Sequence, residues 1–197
     1  MSCNLHRVQV IEKASPFKTT IGLIQNKCEK KLHEKSLAAM KDKLIKEILK
    51  SILPLGHTNF DTSYNNEHLI HFPNIAVSVS HTKNILAVLL ANKSAHRSVG
   101  IDIELNDRQI ATNTKKYFVN DLDKPASNQG LLGIWTLKEA AFKACSPHYP
   151  ECKLLKQIVI DSHSYAVGEK GIIKGRIHQF LHEIGDVELI ISTAVLD

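Results

Sequence analysis

The chain has 197 residues, 43% of them hydrophobic and 23% charged, the proportions of a folded globular protein rather than a disordered one. Its formal net charge of +5 favours anionic partners, an acidic protein or a phosphorylated small molecule, and nucleic acid least of all: aromatics are only 6%, the lysines are dispersed and no nucleic-acid motif occurs. No apolar run approaches the roughly 20 residues of a membrane helix, and the opening MSCNLHRVQVIEKASPF does not have the form of a secretion signal.

In chain order, the first predicted element is a helix from about Glu29 to Ser51. Leu37, Met40, Leu44, Ile48 and Ile52 recur at spacings of three and four and make one apolar stripe. Pro54 and Gly56 end it. Lys35, Lys41, Lys43, Lys46 and Lys50 crowd its other faces, either as solvated surface or as a basic rim for an anion. A polar loop from Asn59 to Asn66 follows. Ile75–Ser80 and Ile85–Leu90 then read as strands of a hairpin, with His81-Thr82-Lys83-Asn84 as the turn. Val99–Glu104 is a third strand. The polar stretch from Asn106 to Asn120 has some helical character.

Leu131–Cys145 is a second long helix. Ser127 or Asn128 can cap it, Pro147 stops it, and Ile134, Leu137 and Ala141 form its core stripe. Strands return at Gln157–Ile160, around Gly171–Gly175 and at Val187–Val195. Helix followed by strands, twice, predicts an α+β protein of two halves, 1–100 and 101–197. The four cysteines, Cys3, Cys28, Cys145 and Cys152, form no CxxC pair. They read as free thiols in a reducing cytoplasm, and neither a zinc site nor a disulfide framework is expected.

Three segments could carry chemistry. In Gly100-Ile101-Asp102-Ile103-Glu104, strand alternation points Asp102 and Glu104 the same way, about 7 Å apart along the chain, with Ile101 and Ile103 toward the core. Two such carboxylates either edge a solvent-facing strand or bind a hard cation such as Mg²⁺. In Trp135–Lys143, Glu139 and Lys143 share a helical face, as a surface pair or as a third carboxylate with a phosphate-binding cation. In Ser78–Thr82, His81 and the Ser80 hydroxyl either serve the fold or bond a phosphate. His178 and His182, four apart with Glu183 adjacent, have a helical metal-ligand spacing, but no third ligand in a paired segment supports it, and they read as surface residues.

The order and spacing of Ser78-Val-Ser-His-Thr82, Val99-Gly-Ile-Asp-Ile-Glu104 and Trp135-Thr-Leu-Lys-Glu-Ala-Ala-Phe-Lys143 resemble the 4′-phosphopantetheinyl transferase superfamily. The family shows a (V/I)G(V/I)D segment followed by (F/W)xxKE(A/S)xxK. Ser80-His81-Thr82, Glu104 and the chain length look like its Sfp-type branch. The resemblance implies a monomeric pseudo-dimer of two similar α+β halves. It also implies transfer of 4′-phosphopantetheine from coenzyme A to a serine of an acyl or peptidyl carrier protein, with adenosine 3′,5′-bisphosphate released. Asp102, Glu104 and Glu139 would bind Mg²⁺, Lys143 would contact the coenzyme A pyrophosphate, and Ser80 and His81 would contact coenzyme A phosphates. Glu139 or a metal-linked water would accept the serine proton. Tyr117-Phe118 resembles the aromatic start of the family's central helix, which helps position the carrier.

The chain departs from the family's pattern in two places. Asn66–His71 stands where Sfp-type proteins often have a Gly-Lys-Pro stretch near the adenine, and for the 3′-phosphate only Lys30, Lys31, Lys35 and Lys46 are candidates. The positive charge suits an acidic carrier. Two other readings compete. A Mg²⁺-dependent phosphohydrolase is disfavoured because the chain has neither a P-loop nor an aspartyl-phosphate motif. A non-catalytic coenzyme A- or carrier-binding homologue is disfavoured by the intact set Asp102, Glu104, Glu139 and Lys143.

Overall fold

The computed structural model describes residues 6–12, 19–26, 34–53, 61–65, 67–125, 130–168 and 173–197. In chain order these form β1 (His6–Glu12), β2 (Thr20–Asn26), α1 (Glu34–Ile52), β3 (His68–Leu69), β4 (Phe72–Thr82), β5 (Ile85–Asn92) and β6 (Ser98–Leu105). After them come α2 (Lys115–Phe118), β7 (Lys124–Pro125), α3 (Gly130–Cys145), β8 (Ile158–Ser162), β9 (Ser164–Val167), β10 (Ile173–Ile184) and β11 (Val187–Leu196). The fold is α+β. One sheet has the order β1-β2-β5-β4-β3 and is antiparallel throughout. The other has the order β6-β11-β10-β9-β8-β7, antiparallel except for the short parallel β7–β8 pair.

Strand alternation divides the apolar residues between layers. Ile21 and Leu23 of β2, Ile85, Ala87 and Leu89 of β5, and Val99, Ile101 and Ile103 of β6 join Leu189 and Ile191 of β11 in one core between the sheets. The opposite faces of β2 and β5, through Ile24, Leu86, Val88 and Leu90, pack on Met40, Leu44, Ile45 and Ile48 of α1. On the second sheet, Ile158, Val167, Ile177 and Ala194 pack on Leu137, Ala140, Ala141 and Ala144 of α3. Each sheet therefore buries both faces, one on its own helix and one on the other sheet, so β5 reads as an almost unbroken apolar run.

Three expectations are corrected. The order is not helix then strands, twice, because β1 and β2 precede α1 and β6 and β7 precede α3. His81 is not in a turn: pairing continues through His81↔Leu86 and Thr82↔Ile85, leaving only Lys83-Asn84 as the connection, with Lys83 at φ 45. The segment with His178 and His182 is not helical but lies within β10, paired residue by residue with β11. The two-residue connection Gly185-Asp186, with Gly185 at φ 64, suits a tight hairpin and folds that segment back as a strand. On a strand, residues four apart are about 13 Å apart, so the spacing for shared metal ligation is lost. His182 meets Gln9 of β1 at 3.0 Å instead.

Residues 29–33, Pro54, Gly56, Ser127, Asn128 and Gly171 lie outside the described residues, as do Cys3 and Cys28. Cys145 and Cys152 are free and buried. No described helix is long and apolar enough to cross a membrane.

Candidate active site

The site forms where β4, β6 and α3 meet. Gly100 brings α3 against β6: a Cβ at this position would lie 1.9 Å from the Ala140 carbonyl oxygen and 2.8 Å from the Ala144 nitrogen. No side chain fits there. The residues that follow Gly100 on the same face of β6, Asp102 and Glu104, therefore sit beside the helical face that carries Glu139 and Lys143. Ile101 and Ile103 point the other way, into the core between the sheets, as expected.

Asp102 is only 7% exposed and Glu104 only 8%, which rules out a solvent-facing strand edge. The Asp102 Oδ1 accepts from the Lys143 ammonium at 2.8 Å and from the Ser80 hydroxyl at 2.8 Å. Lys143 also donates to the Ile101 carbonyl at 2.9 Å. The other oxygen, Oδ2, is buried and has no hydrogen-bond partner. An unsatisfied buried acceptor costs about 1–3 kcal/mol, and a carboxylate oxygen in that state is suited to receive a cation. Glu104 accepts from the Thr82 hydroxyl at 3.1 Å and pairs with the Arg108 guanidinium. Glu139 is half-buried. Burial, reinforced by the neighbouring Asp102 charge, lifts its carboxyl above the ordinary range, and Lys143 opposes the lift. A carboxylate so raised is a stronger proton acceptor than a free one.

Ser80 is 6% exposed, and its hydroxyl is directed at Asp102. His81, one residue on, shares the strand face of Ile75 and Val77 and is exposed. Alternation thus sends Ser80 and His81 to opposite faces of β4. Lys35 is exposed on α1, Lys46 pairs with Asp42 at 2.9 Å, and Lys30 and Lys31 lie outside the described residues. A cleft of about 750 Å³ opens between β4 and the C-terminal end of α3, lined by Tyr64, Val77, Ser78, Lys143, Ser146 and Lys153 among others. Two lysines on its wall make it suited to an anionic ligand.

Sequence reasoning missed four features. Arg108 lies in the turn after β6, held by its backbone bond to the Leu105 carbonyl at 3.0 Å. Thr82, within the Ser78–Thr82 segment, turns its hydroxyl to Glu104. Lys138, adjacent to Glu139, is fully buried and makes an ion pair of 2.7 Å with Asp123 and a hydrogen bond of 2.7 Å to the Ile158 carbonyl. Burial pushes its ammonium below the ordinary lysine range, against the pull of Asp123. Asp123 also accepts from the backbone nitrogens of Asn120 at 2.8 Å and Ile160 at 3.0 Å. This network ties α3 to β8 and sets the rotation of the helix about its axis. Phe118 buries edge-on against Trp135, with ring centroids 5.2 Å apart, while Tyr117 stays 65% exposed.

Among the described residues no three His, Cys, Asp or Glu side chains gather closely enough to hold a metal by themselves. Mg²⁺ ordinarily takes only one or two carboxylates and completes its shell with water and substrate phosphate. The partnerless Asp102 Oδ2 and the all-oxygen set Asp102, Glu104 and Glu139 fit that chemistry.

No curated protein matches the chain as a relative. The family model of the 4′-phosphopantetheinyl transferase superfamily matches residues 98–190. That range includes β6, α2, α3 and most of the second sheet, and so holds Asp102, Glu104, Glu139 and Lys143. Over residues 98–190 this chain is therefore similar to the 4′-phosphopantetheinyl transferase superfamily.

Proposed function

We propose that this protein transfers the 4′-phosphopantetheine group of coenzyme A to a serine of an apo acyl or peptidyl carrier protein, as a Mg²⁺-dependent, holo-acyl-carrier-protein-synthase-type enzyme of the Sfp-type branch. The observation that carries the reading is the Asp102 carboxylate: one oxygen is held by Lys143 and Ser80, and the other is buried without a partner. Residues 1–100 and 101–197 are read as two similar halves of a monomeric pseudo-dimer, with coenzyme A in the cleft between β4 and α3.

Asp102, Glu104 and Glu139 would hold Mg²⁺. When bound, the ion would polarise the phosphoryl oxygen and neutralise pyrophosphate charge. Lys143, on the cleft wall, orients the pyrophosphate and adds positive charge where negative charge develops. His81 is read as a further contact to a coenzyme A phosphate. The carrier serine oxygen attacks the β-phosphorus, a new P–O bond forms, the pyrophosphate P–O bond breaks, and adenosine 3′,5′-bisphosphate leaves. The serine proton passes to Glu139, directly or through one water. The basic chain suits an acidic carrier, and a cytoplasmic location suits both substrates.

Mass spectrometry of an apo acyl carrier protein incubated with this protein, coenzyme A and Mg²⁺ tests the reading. A gain of one phosphopantetheine, lost with a chelator and with Glu139→Ala, is the expected result. Absence of a gain on acyl and peptidyl carriers alike, with coenzyme A still bound tightly, would overturn transfer in favour of a non-catalytic binding protein.

A further inference from the structure

The two sheets meet edge to edge at β4 and β6 without a backbone ladder. In its place the Ser78 hydroxyl accepts from the Ile101 backbone nitrogen at 3.1 Å, and the Ser80 hydroxyl accepts from the Ile103 nitrogen at 3.4 Å. The partners advance together along both strands, so β4 and β6 run in the same direction. The same register aligns Ser80 with Asp102 and Thr82 with Glu104, at 2.8 and 3.1 Å. From Ser78 to the end of β4 every second residue thus carries a hydroxyl, and the last two, Ser80 and Thr82, meet Asp102 and Glu104, two residues apart on β6.

We infer that Ser80 and Thr82 are positioning residues, whose hydroxyls orient the Asp102 and Glu104 carboxylates for the cation. The inference rests on the function proposed above. A hydroxyl donating to one carboxylate oxygen fixes the rotation of the group and leaves its other oxygen facing a set direction. At Asp102 the oxygen so left is the partnerless Oδ2; at Glu104 it is Oε1, which faces Arg108. Ser80 is nearly sealed from solvent and points at Asp102, so its contribution passes through that carboxylate and not through contact with a coenzyme A phosphate. Because β4 belongs to one sheet and β6 to the other, the orientation of the site depends on the registration of the two sheets.

The test is calorimetric titration of Mg²⁺ into the full chain saturated with coenzyme A, beside titration of coenzyme A in chelator. Thr82→Val and Ser80→Ala are each expected to weaken Mg²⁺ binding by about tenfold. Coenzyme A affinity in chelator is expected to stay unchanged, and Thr82→Ser is expected to restore Mg²⁺ affinity. Mg²⁺ affinity within about twofold of the parent in both variants would overturn the inference, since outer-shell partners ordinarily matter more than that. A loss of coenzyme A affinity in Ser80→Ala with Mg²⁺ affinity retained would assign Ser80 to the substrate instead. Thr82 is half-exposed, so its variants keep the test decisive if Ser80→Ala fails to fold. If the parent chain itself takes up no Mg²⁺ beside coenzyme A, the functional reading fails, a result separate from equal binding by parent and variants.

Discussion

Lys143 and Lys138 sit five residues apart on α3 and have opposite surroundings. Lys143 reaches the cleft and Asp102, whereas Lys138 is sealed against Asp123 and Ile158. Their variants should fail differently. Lys143→Ala should lower the transfer rate at saturating coenzyme A and carrier by about 100-fold, the order expected for one group stabilising developing charge, while carrier affinity barely changes. Steady-state kinetics with a titrated carrier would check this, and a loss confined to carrier affinity would move Lys143 to the protein interface. Lys138→Met leaves the Asp123 carboxylate buried without its cation. Breaking one partner of a buried pair costs about 3–5 kcal/mol, and the backbone donors from Asn120 and Ile160 hold this case near the lower end. Urea unfolding with chelator present measures it; a change below about 1 kcal/mol would show that the pair is not needed to hold α3.

At the scale of elements, Gly100 sets how closely β6 and α3 approach. Gly100→Ala would drive a methyl into the Ala140 carbonyl, helix backbone that no side-chain rotation can relieve. Overpacking of this kind costs about 1–3 kcal/mol. Moving α3 outward also withdraws Glu139 and Lys143 from Asp102. Thermal unfolding and transfer activity should therefore fall together, with activity falling further; a fully active, equally stable variant would show that the contact is slack. The long helices and the middle strands were legible in sequence because their apolar periods are strong. Strands β1 and β2 carry a weaker signal, in which Val8 and Val10 alternate with Arg7 and Gln9, the period of a half-buried strand. The segment holding His178 and His182 misled because two histidines four apart fit a helical face as readily as a strand face.

At the scale of the whole molecule, the central core is shared. Val99, Ile101, Ile103, Leu189 and Ile191 of the second sheet are buried by Ile21, Leu23, Ile85, Ala87 and Leu89 of the first. The matched stretch 98–190 thus shares its core with the first sheet, even though it holds the carboxylates. A fragment spanning residues 98–197 would expose that apolar face, an aggregation hazard. It should be recovered insoluble or without cooperative unfolding by circular dichroism, and restored by co-expression with residues 1–97. A soluble, cooperatively folding fragment would contradict the shared core.

Sequence alone determined the chemistry on offer. Alternation along Val99–Glu104 put Asp102 and Glu104 on one face, and a helical period put Glu139 and Lys143 on another, because both relations are local and follow from backbone geometry. Only the tertiary structure decided which of these groups meet: Lys143 and Ser80 on one oxygen of Asp102, Thr82 and Arg108 on Glu104, Lys138 turned away into an ion pair, and His81 on the far face of its strand. Those outcomes depend on the registration of β4 against β6 and on the close approach that Gly100 allows α3. Both are contacts between segments distant in the chain, which no local period encodes.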